Sequence, residues 1–440
     1  MSQLEGKASH RLSPVIELKV IGYASGNFAK ALQAGIVDIF YMYFLVNTIH
    51  LPASVAGTVL LAGFIFDGIT DPVVSRLIDK YGYKFKSLTI ILLFLIPVNV
   101  ISFFSLFLLP LYLESFPFLT AIVASLFFRL GYTLVDIPHN ALLAGMAKQT
   151  SSTSISAWRF CFSAVSVLFL AGLSTFPLFN PQISEPASTG AIIQIMIVVG
   201  IVYLLTIIIS AISCRSVKLD SQTQSAANTG FLAGLKHLLT IPDYIRLLKI
   251  IACICCFLAM AERSTVFLVG FSEAKELDTW ELLAAVGTGK LVSLLFWVKF
   301  ANRSGERKSF KYAHAVSLLT VFFILIAYPE HNHLLVISYF ILGISVGGVS
   351  VFIWSLLAQV VNKYFTSPER NLSTLAFGIF LLVLKVSAGI GSFILAVLLE
   401  GLNDHEIDSQ QNILSGFVVI SVVFAALLNI SIIRRLSDRF

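Results

Sequence analysis

Long apolar runs recur along the whole length of this 440-residue chain, and they limit its fold more than any other feature of the sequence. Each run holds about 20 residues, enough for a helix to cross a hydrocarbon layer roughly 30 Å thick. Because that layer offers no water to the backbone polar groups, a helix is the simplest structure that spans it. The composition, 57% hydrophobic and 12% charged, is that of a membrane protein rather than a soluble domain. The sequence predicts an all-α integral membrane protein.

We predict twelve transmembrane helices separated by short polar segments. They fall at residues 20–46, 53–78, 88–110, 116–146, 154–180, 189–213, 245–272, 279–300, 312–328, 333–362, 373–400 and 411–433. The longest polar segment is rich in Ser, Thr, Gln and Asn, which is typical of a linker between two bundles. We therefore expect an N-terminal six-helix bundle at 1–213, a cytoplasmic linker at 214–244 and a C-terminal six-helix bundle at 245–440.

One loop motif occurs twice, once in each expected half. Residues 79–84 read DKYGYK and residues 302–307 read NRSGER. Both fit the order acid or amide, base, any residue, Gly, any residue, base, and both follow an even-numbered span. Such a repeat indicates the major facilitator fold, in which two six-helix bundles rock around a central site.

Lys and Arg are concentrated in alternate polar segments, whereas Glu and Asp prevail in the others. By the positive-inside rule both termini are then cytoplasmic, which requires an even number of spans. This topology accounts for most of the net charge of +6. No basic stripe is interleaved with aromatic residues, so we expect no nucleic-acid partner. The N-terminal segment lacks the short apolar core of a removable signal peptide, and we expect the first span to be retained.

Two aspartates stand four residues apart inside the apolar second span. Asp67 and Asp71 lie on one helical face, with their Cβ atoms roughly 6 Å apart. Ionisable groups inside a membrane span cost several kcal/mol each, so they indicate function by default. The fourth span carries a matching polar stripe at offsets of about one turn, formed by Arg129, Thr133, Asp136 and Asn140. We expect these two polar faces to meet each other rather than lipid.

Two such carboxylates in a low-dielectric interior cannot both stay ionised without a positive charge beside them. Pro72 and Pro138 also deny two helical carbonyls their partners, which adds backbone oxygens near the acids. Oxygen ligands from Asp67, Asp71 and Thr133 suit Na⁺ or Li⁺, and a proton on one aspartate satisfies the same electrostatics. The alternative is that the pair binds Lys30 and Arg129 and only holds helices together.

Four other charged residues inside the spans have roles that the sequence leaves open. Glu262 and Arg263 are adjacent in the seventh span, and a local ion pair is their simplest interpretation. Lys290 lies in the middle of the eighth span. Asp38 in the first span is as consistent with helix packing as with ligand binding.

At these residues the chain resembles the glycoside-pentoside-hexuronide:cation symporters, the melibiose-permease-like branch of the major facilitator superfamily. The similar segments are GTVLLAGFIFDGITDP at 57–72, GYTLVDIPHNALL at 131–143, SISAWRF at 154–160 and ERNLSTLAFGIFLLVLKVSAGIGS at 369–392. They are spread over nearly the whole chain. The resemblance therefore implies the fold of twelve helices in two bundles that the span pattern predicts.

Residue by residue, the resemblance implies a cation site and a solute site. The implied cation site consists of Asp67, Thr70, Asp71 and Thr133, with Asp67 and Asp71 as the metal ligands if Na⁺ is the coupling ion. The implied solute site consists of Lys30, Asp136, Asn140, Arg159 and Lys385. Asn140 replaces an aromatic platform of sugar-binding members, Ala31 replaces an acid, and Phe64 replaces an arginine.

We interpret the chain as a symporter that couples Na⁺ or H⁺ to inward movement of a small polar solute, such as a sugar or glycoside. Two alternatives remain: a lipid or lysolipid carrier on the same scaffold, and a transport-inactive membrane receptor or scaffold. No set of catalytic residues, phosphate loop or metal quartet indicates an enzyme or a cofactor. We expect a monomer in the bacterial inner membrane or a plasma membrane, whose partners are the solute, the cation and the lipid bilayer.

The Lys and Arg pattern makes a topology prediction that is independent of the resemblance. Single cysteines introduced at 79–87, 214–244 and 301–311 should react from the cytoplasmic side, and those at 401–410 from the outside. Membrane-impermeant thiol reagents applied to intact cells and to inverted vesicles measure this. An externally labelled 214–244 segment would contradict the twelve-span interpretation.

Overall fold

The computed structural model describes residues 14–81, 88–113, 115–146, 152–176, 189–215, 231–271, 278–327, 332–364 and 373–403. Its elements, in chain order, are α1 Pro14–Gly35, a π-helical turn Ile36–Phe40, α2 Tyr41–Asn47, α3 Ala53–Tyr81, α4 Leu88–Tyr112, α5 Pro117–Met146, α6 Ser152–Leu173, α7 Thr189–Ser213, α8 Phe231–Leu238, α9 Pro242–Phe271, α10 Thr279–Ser304, α11 Glu306–Ala327, α12 Asn332–Tyr364 and α13 Ser373–Asn403.

Helices in the described part of the chain coincide with eleven of the predicted spans, and the all-α prediction is confirmed. Nine of these described helical segments are long and apolar enough to cross a membrane. The first span is interrupted by the π-helical turn, and the fifth ends at Leu173 rather than at residue 180. The predicted linker contains the short helix α8. The predicted span at 411–433 lies outside the described residues, so the count of twelve stays a prediction.

The helices pack as two groups with a seam between them. In the N-terminal half, α1 packs on α6 and α7, and α5 packs on α3 and α4. In the C-terminal half, α12 packs on α10 and α11, and α9 packs on α13. The seam is formed by α3 against α13, α6 against α10, and the π-helical turn against α9. Large apolar side chains such as Phe94 and Ile101 stay exposed on the outside, as they would toward lipid.

Glycine allows a close contact between the backbones of α10 and α12. A Cβ on Gly343 would collide with the backbone carbonyl oxygen of Val286, and one on Gly289 would collide with the carbonyl oxygen of Phe340. Small residues at helix interfaces let backbones approach in this way inside membranes. A different need explains Gly305, whose positive φ of 83° makes the turn between α10 and α11 within the repeated loop motif.

The α10–α12 contact predicts a difference between two Gly→Ala substitutions. Gly343→Ala should cost about 1–3 kcal/mol of stability, because a rigid backbone must move to admit the methyl group. The matched control is Gly378→Ala in α13, where a Cβ meets nothing within 4 Å. It should be neutral or stabilising by up to about 1 kcal/mol. Thermal unfolding of the purified proteins in detergent measures both, and equal melting temperatures would contradict the packing argument.

Candidate cation and solute site

The two aspartates of α3 are buried at the seam between the halves. Asp67 and Asp71 are 1% and 2% exposed. The hydroxyl of Thr133 on α5 lies 2.6 Å from Oδ1 of Asp67 and 2.9 Å from Oδ1 of Asp71. The polar faces of α3 and α5 therefore do meet. The α3 helix continues through Pro72, which follows Asp71 directly.

A single hydroxyl cannot satisfy both carboxylates at once. Thr133 has one hydroxyl hydrogen, and an ionised carboxylate is an acceptor without a donor of its own. The second acid therefore needs a proton or a positive charge. Both halves provide a positive charge. Nη1 of Arg129 on α5 lies 3.5 Å from Oδ2 of Asp67. Nζ of Lys385 on α13 lies 3.1 Å from the same oxygen atom. Lys385 also donates to Oδ2 of Asp71.

This arrangement differs in part from the pairing that the sequence suggested. Of the two cations considered as partners, Arg129 contacts Asp67, whereas Lys30 contacts Asp136 instead. Lys385, which the resemblance assigns to the solute, lies between the two aspartates. Thr70 donates its hydroxyl to the backbone carbonyl of Asp67, so its described contact is within its own helix.

A second ionic group adjoins the pair on the side toward the π-helical turn. The guanidinium of Arg129 lies over the ring of Phe64, 4.0 Å from the centroid, and its Nη2 is 3.6 Å from Asp38. Arg263 on α9 approaches the same Oδ1 of Asp38 to 3.1 Å. The expected local pair of Glu262 and Arg263 is wrong, because neighbours in a helix point in different directions.

The remaining predicted solute residues form a polar cluster inside the N-terminal half. Nζ of Lys30 on α1 lies 2.7 Å from Asp136 and 3.0 Å from the Asn140 carbonyl oxygen, both on α5. Arg159 on α6 donates to that Asn140 oxygen at 2.8 Å, and to Asn27 at 3.3 Å. These contacts connect four of the five predicted solute residues.

A cavity of about 290 Å³ lies between the two halves, bounded by α1 and α6 on one side and by α9, α10 and α12 on the other. Its lining is mainly Ala, Val, Leu and Ile, with Asp38, Glu262 and Lys290 as its charged members. Nζ of Lys290 lies 3.5 Å from Glu262. This pair was not predicted from the sequence, although Glu262 and Lys290 carry opposite charges in consecutive spans.

Removal of the shared hydroxyl should weaken the site. We expect Thr133→Val to cost about 1–3 kcal/mol, because the isosteric side chain leaves buried carboxylate oxygens without a donor. Thr133→Ser keeps the donor and should stay closer to the wild type. Thermal unfolding in detergent compares the three proteins. A Thr133→Val protein as stable as wild type would show that the hydroxyl does not hold the pair.

Two proteins with similar sequences are named as symporters. A "Sodium-dependent lysophosphatidylcholine symporter 1" from Gallus gallus is 22% identical over 403 residues, which cover 84% of this chain and 75% of that protein. The "Uncharacterized symporter YnaJ" of Bacillus subtilis is 20% identical over 395 residues, covering 89% of this chain and 84% of that protein.

Among solved structures, the nucleoside transporter NupG superposes with a TM-score of 0.64 at 15% identity, over 94% of this chain and 99% of that one. A D-xylose-proton symporter gives a TM-score of 0.64 at 13% identity, over 93% and 96%. These likenesses confirm the major facilitator fold. The sequence profile of the MFS/sugar transport protein family matches residues 22–435. The chain therefore belongs to that family of major facilitator superfamily transporters and is a multi-pass membrane protein rather than an enzyme.

Proposed function

We propose that the chain is a symporter that couples Na⁺ or H⁺ to the movement of a small polar solute by alternating access. The observation that carries this is the neutralisation of Asp67 and Asp71, on one half, by Lys385 on the other. The buried carboxylates need positive charge, and here a side chain across the seam provides it. A coupling cation that provides the same charge would remove the need for that contact between the halves.

The coupling step follows from competition for the same oxygen atoms. Asp67 and Asp71 are the proposed cation ligands, assisted by Thr133. A hard cation prefers carboxylate and hydroxyl oxygens, and a proton on one acid serves the same electrostatic purpose. Either ion weakens the attraction for Lys385 and so favours separation of α3 from α13. Cation occupancy would thereby change the balance between the two arrangements of the halves.

The solute is proposed to bind at the polar cluster, beside the cavity. Lys30, Asp136, Asn140 and Arg159 present charged donors and acceptors in a small volume. Such groups suit a solute with several hydroxyl groups, since each hydroxyl both donates and accepts. A sugar or glycoside fits this chemistry, and the family that matches the chain is described as one of sugar transport proteins.

A lysolipid is the second candidate, and the cavity favours it. Most of the cavity lining is aliphatic, and its charged groups are confined to Asp38 and the Glu262–Lys290 pair. An acyl chain would bury against such a surface, with a charged head beside the ion pair. Relatives over most of the chain include proteins named for lysophosphatidylcholine.

We further propose the arrangement in the membrane that the sequence predicts. The halves at 1–213 and 245–440 would act as the two moving bundles, joined by a cytoplasmic linker at 214–244. Both termini would be cytoplasmic, and a monomer would suffice because both proposed sites lie within one chain.

An uptake screen in proteoliposomes tests the function. The panel contains radiolabelled sugars, glycosides and lysophosphatidylcholine, each offered with an inward Na⁺ gradient, an inward H⁺ gradient or no gradient. We expect one class of solute to accumulate above equilibrium with one of the gradients. Accumulation of lysophosphatidylcholine would select the second candidate. Absence of gradient-driven accumulation for the whole panel would contradict the proposal and favour a receptor or scaffold.

Asp71→Asn should abolish gradient-driven accumulation and leave a folded protein in the membrane. With one charge gone, Lys385 and Arg129 suffice for Asp67, and the amide is a poorer cation ligand. A coupling loss of about 1–3 kcal/mol is usual between two linked sites. The control is Glu17→Gln, the same loss of charge at an exposed position in the first turn of α1. Wild-type accumulation by Asp71→Asn would show that the pair only holds helices together.

A further inference from the structure

Asp38 lies in an unusual backbone element at the seam. The π-helical turn Ile36–Phe40 interrupts the first membrane span, and Asp38 is its central residue. Single π-helical turns inside α-helices are frequent at functional sites. The side chain is 32% exposed and lines the cavity between the halves. The π-helical turn packs against α9 of the opposite half.

The carboxylate of Asp38 is shared by one arginine from each half. Arg263 of the C-terminal half is 3.1 Å away, and Arg129 of the N-terminal half is 3.6 Å away, both measured to Oδ1. Arg263 is one of the largest fully buried side chains in the described part of the chain. Because a buried guanidinium requires a compensating charge, Asp38 attracts α9 toward the N-terminal half.

Arg129 in turn is shared by two carboxylates. Its Nη2 faces Asp38, whereas its Nη1 faces Asp67 at 3.5 Å. The ring of Phe64 lies under the guanidinium plane and supports it between the two acids. A change in the charge of Asp67 therefore changes how strongly Arg129 is attracted to Asp38. These contacts connect Asp67, through Arg129 and Asp38, to Arg263 of the opposite half.

This inference rests on the proposed function. We propose that Asp38 is a positioning residue of the transport cycle, because it ties the two halves together through Arg263. Asp67 controls the strength of this tie through Arg129. When a cation neutralises Asp67, Arg129 is attracted more strongly to Asp38, where it competes with Arg263 for the same oxygen atom. The contact between Asp38 and Arg263 then weakens together with the contact of Lys385 with the aspartates. Cation binding thus loosens both ionic contacts between the halves.

The strength of the tie between Asp38 and Arg263 is tested by measuring the distance between two spin labels, one on each half. This measurement requires neither the solute nor the coupling ion. Labels at Leu113, after α4, and Leu334, at the start of α12, report on the end of the bundle where Ser54 of α3 donates to Glu400 of α13. Both label positions are exposed. The five native cysteines are replaced beforehand. Double electron–electron resonance in nanodiscs then gives the populations of short and long distances.

Asp38→Asn removes the charge that attracts Arg263. We expect it to lower the ratio of the short-distance population to the long-distance population by roughly tenfold, a typical size for coupling between two sites. Asp38→Glu keeps the charge and should restore much of that ratio. The matched control is Glu262→Gln, which removes a carboxylate from the same cavity but breaks a pair with Lys290 inside one half. If Asp38→Asn fails to fold, the double variant Asp38→Asn with Arg263→Gln removes the tie without leaving an unpaired buried charge.

The control exerted by Asp67 is tested by its substitution in two backgrounds. Asp67→Asn should change the population ratio by one factor in the wild-type protein and by a different factor in the protein that carries Asp38→Asn. The reason is that Arg129 can still pair with Asp38 in the wild-type protein but not in the substituted one. Equal factors, or a wild-type ratio in every protein without Asp38, would overturn the inference. Solute uptake is measured separately. If the protein transports normally but its population ratio does not depend on Asp38, the inference about Asp38 is refuted and the proposed function is not.

Discussion

The buried negative charge of Asp67 and Asp71 is the constraint on which the rest of the site depends. Carboxylates removed from water at the centre of a membrane protein require compensation, and helices from both halves contribute to it. Arg129 and Lys385 supply charge, and Thr133 supplies a hydrogen bond. The compensating groups lie on α5 and α13 and surround the acids of α3, so the electrostatics of one pair of acids also fixes where the two bundles meet.

Close packing at the seam makes that assembly possible. The lysine reaches the aspartates because α13 approaches α3 along a line of small residues: Gly57 lies against Ala396, and Gly389 lies against Phe64. Bulky side chains along this line would hold the helices apart and move the ammonium group away from the acids.

Local features of the site could be predicted from the sequence, whereas contacts across the halves could not. The helical spacing of Asp67 and Asp71, and of Thr133 and Asp136, was enough to place two polar faces together. The partnership of Lys385 with Asp71 joins residues 314 positions apart, and no periodicity encodes such a distance. Arg263 was misassigned for the same reason: its nearest acid in sequence is adjacent, but its partner in space lies on another helix. The π-helical turn carries no apolar pattern of its own and was missed.

The π-helical turn has a consequence for how this chain compares with others of its architecture. A π-turn holds one residue more than the α-turn it replaces, so residues after Phe40 are rotated by about 100° relative to an uninterrupted helix. A homologue with a regular first span would then lack one residue between Ile36 and Phe40. Alignment without a gap there would pair Tyr41 and Phe44, both buried, with positions on a different face.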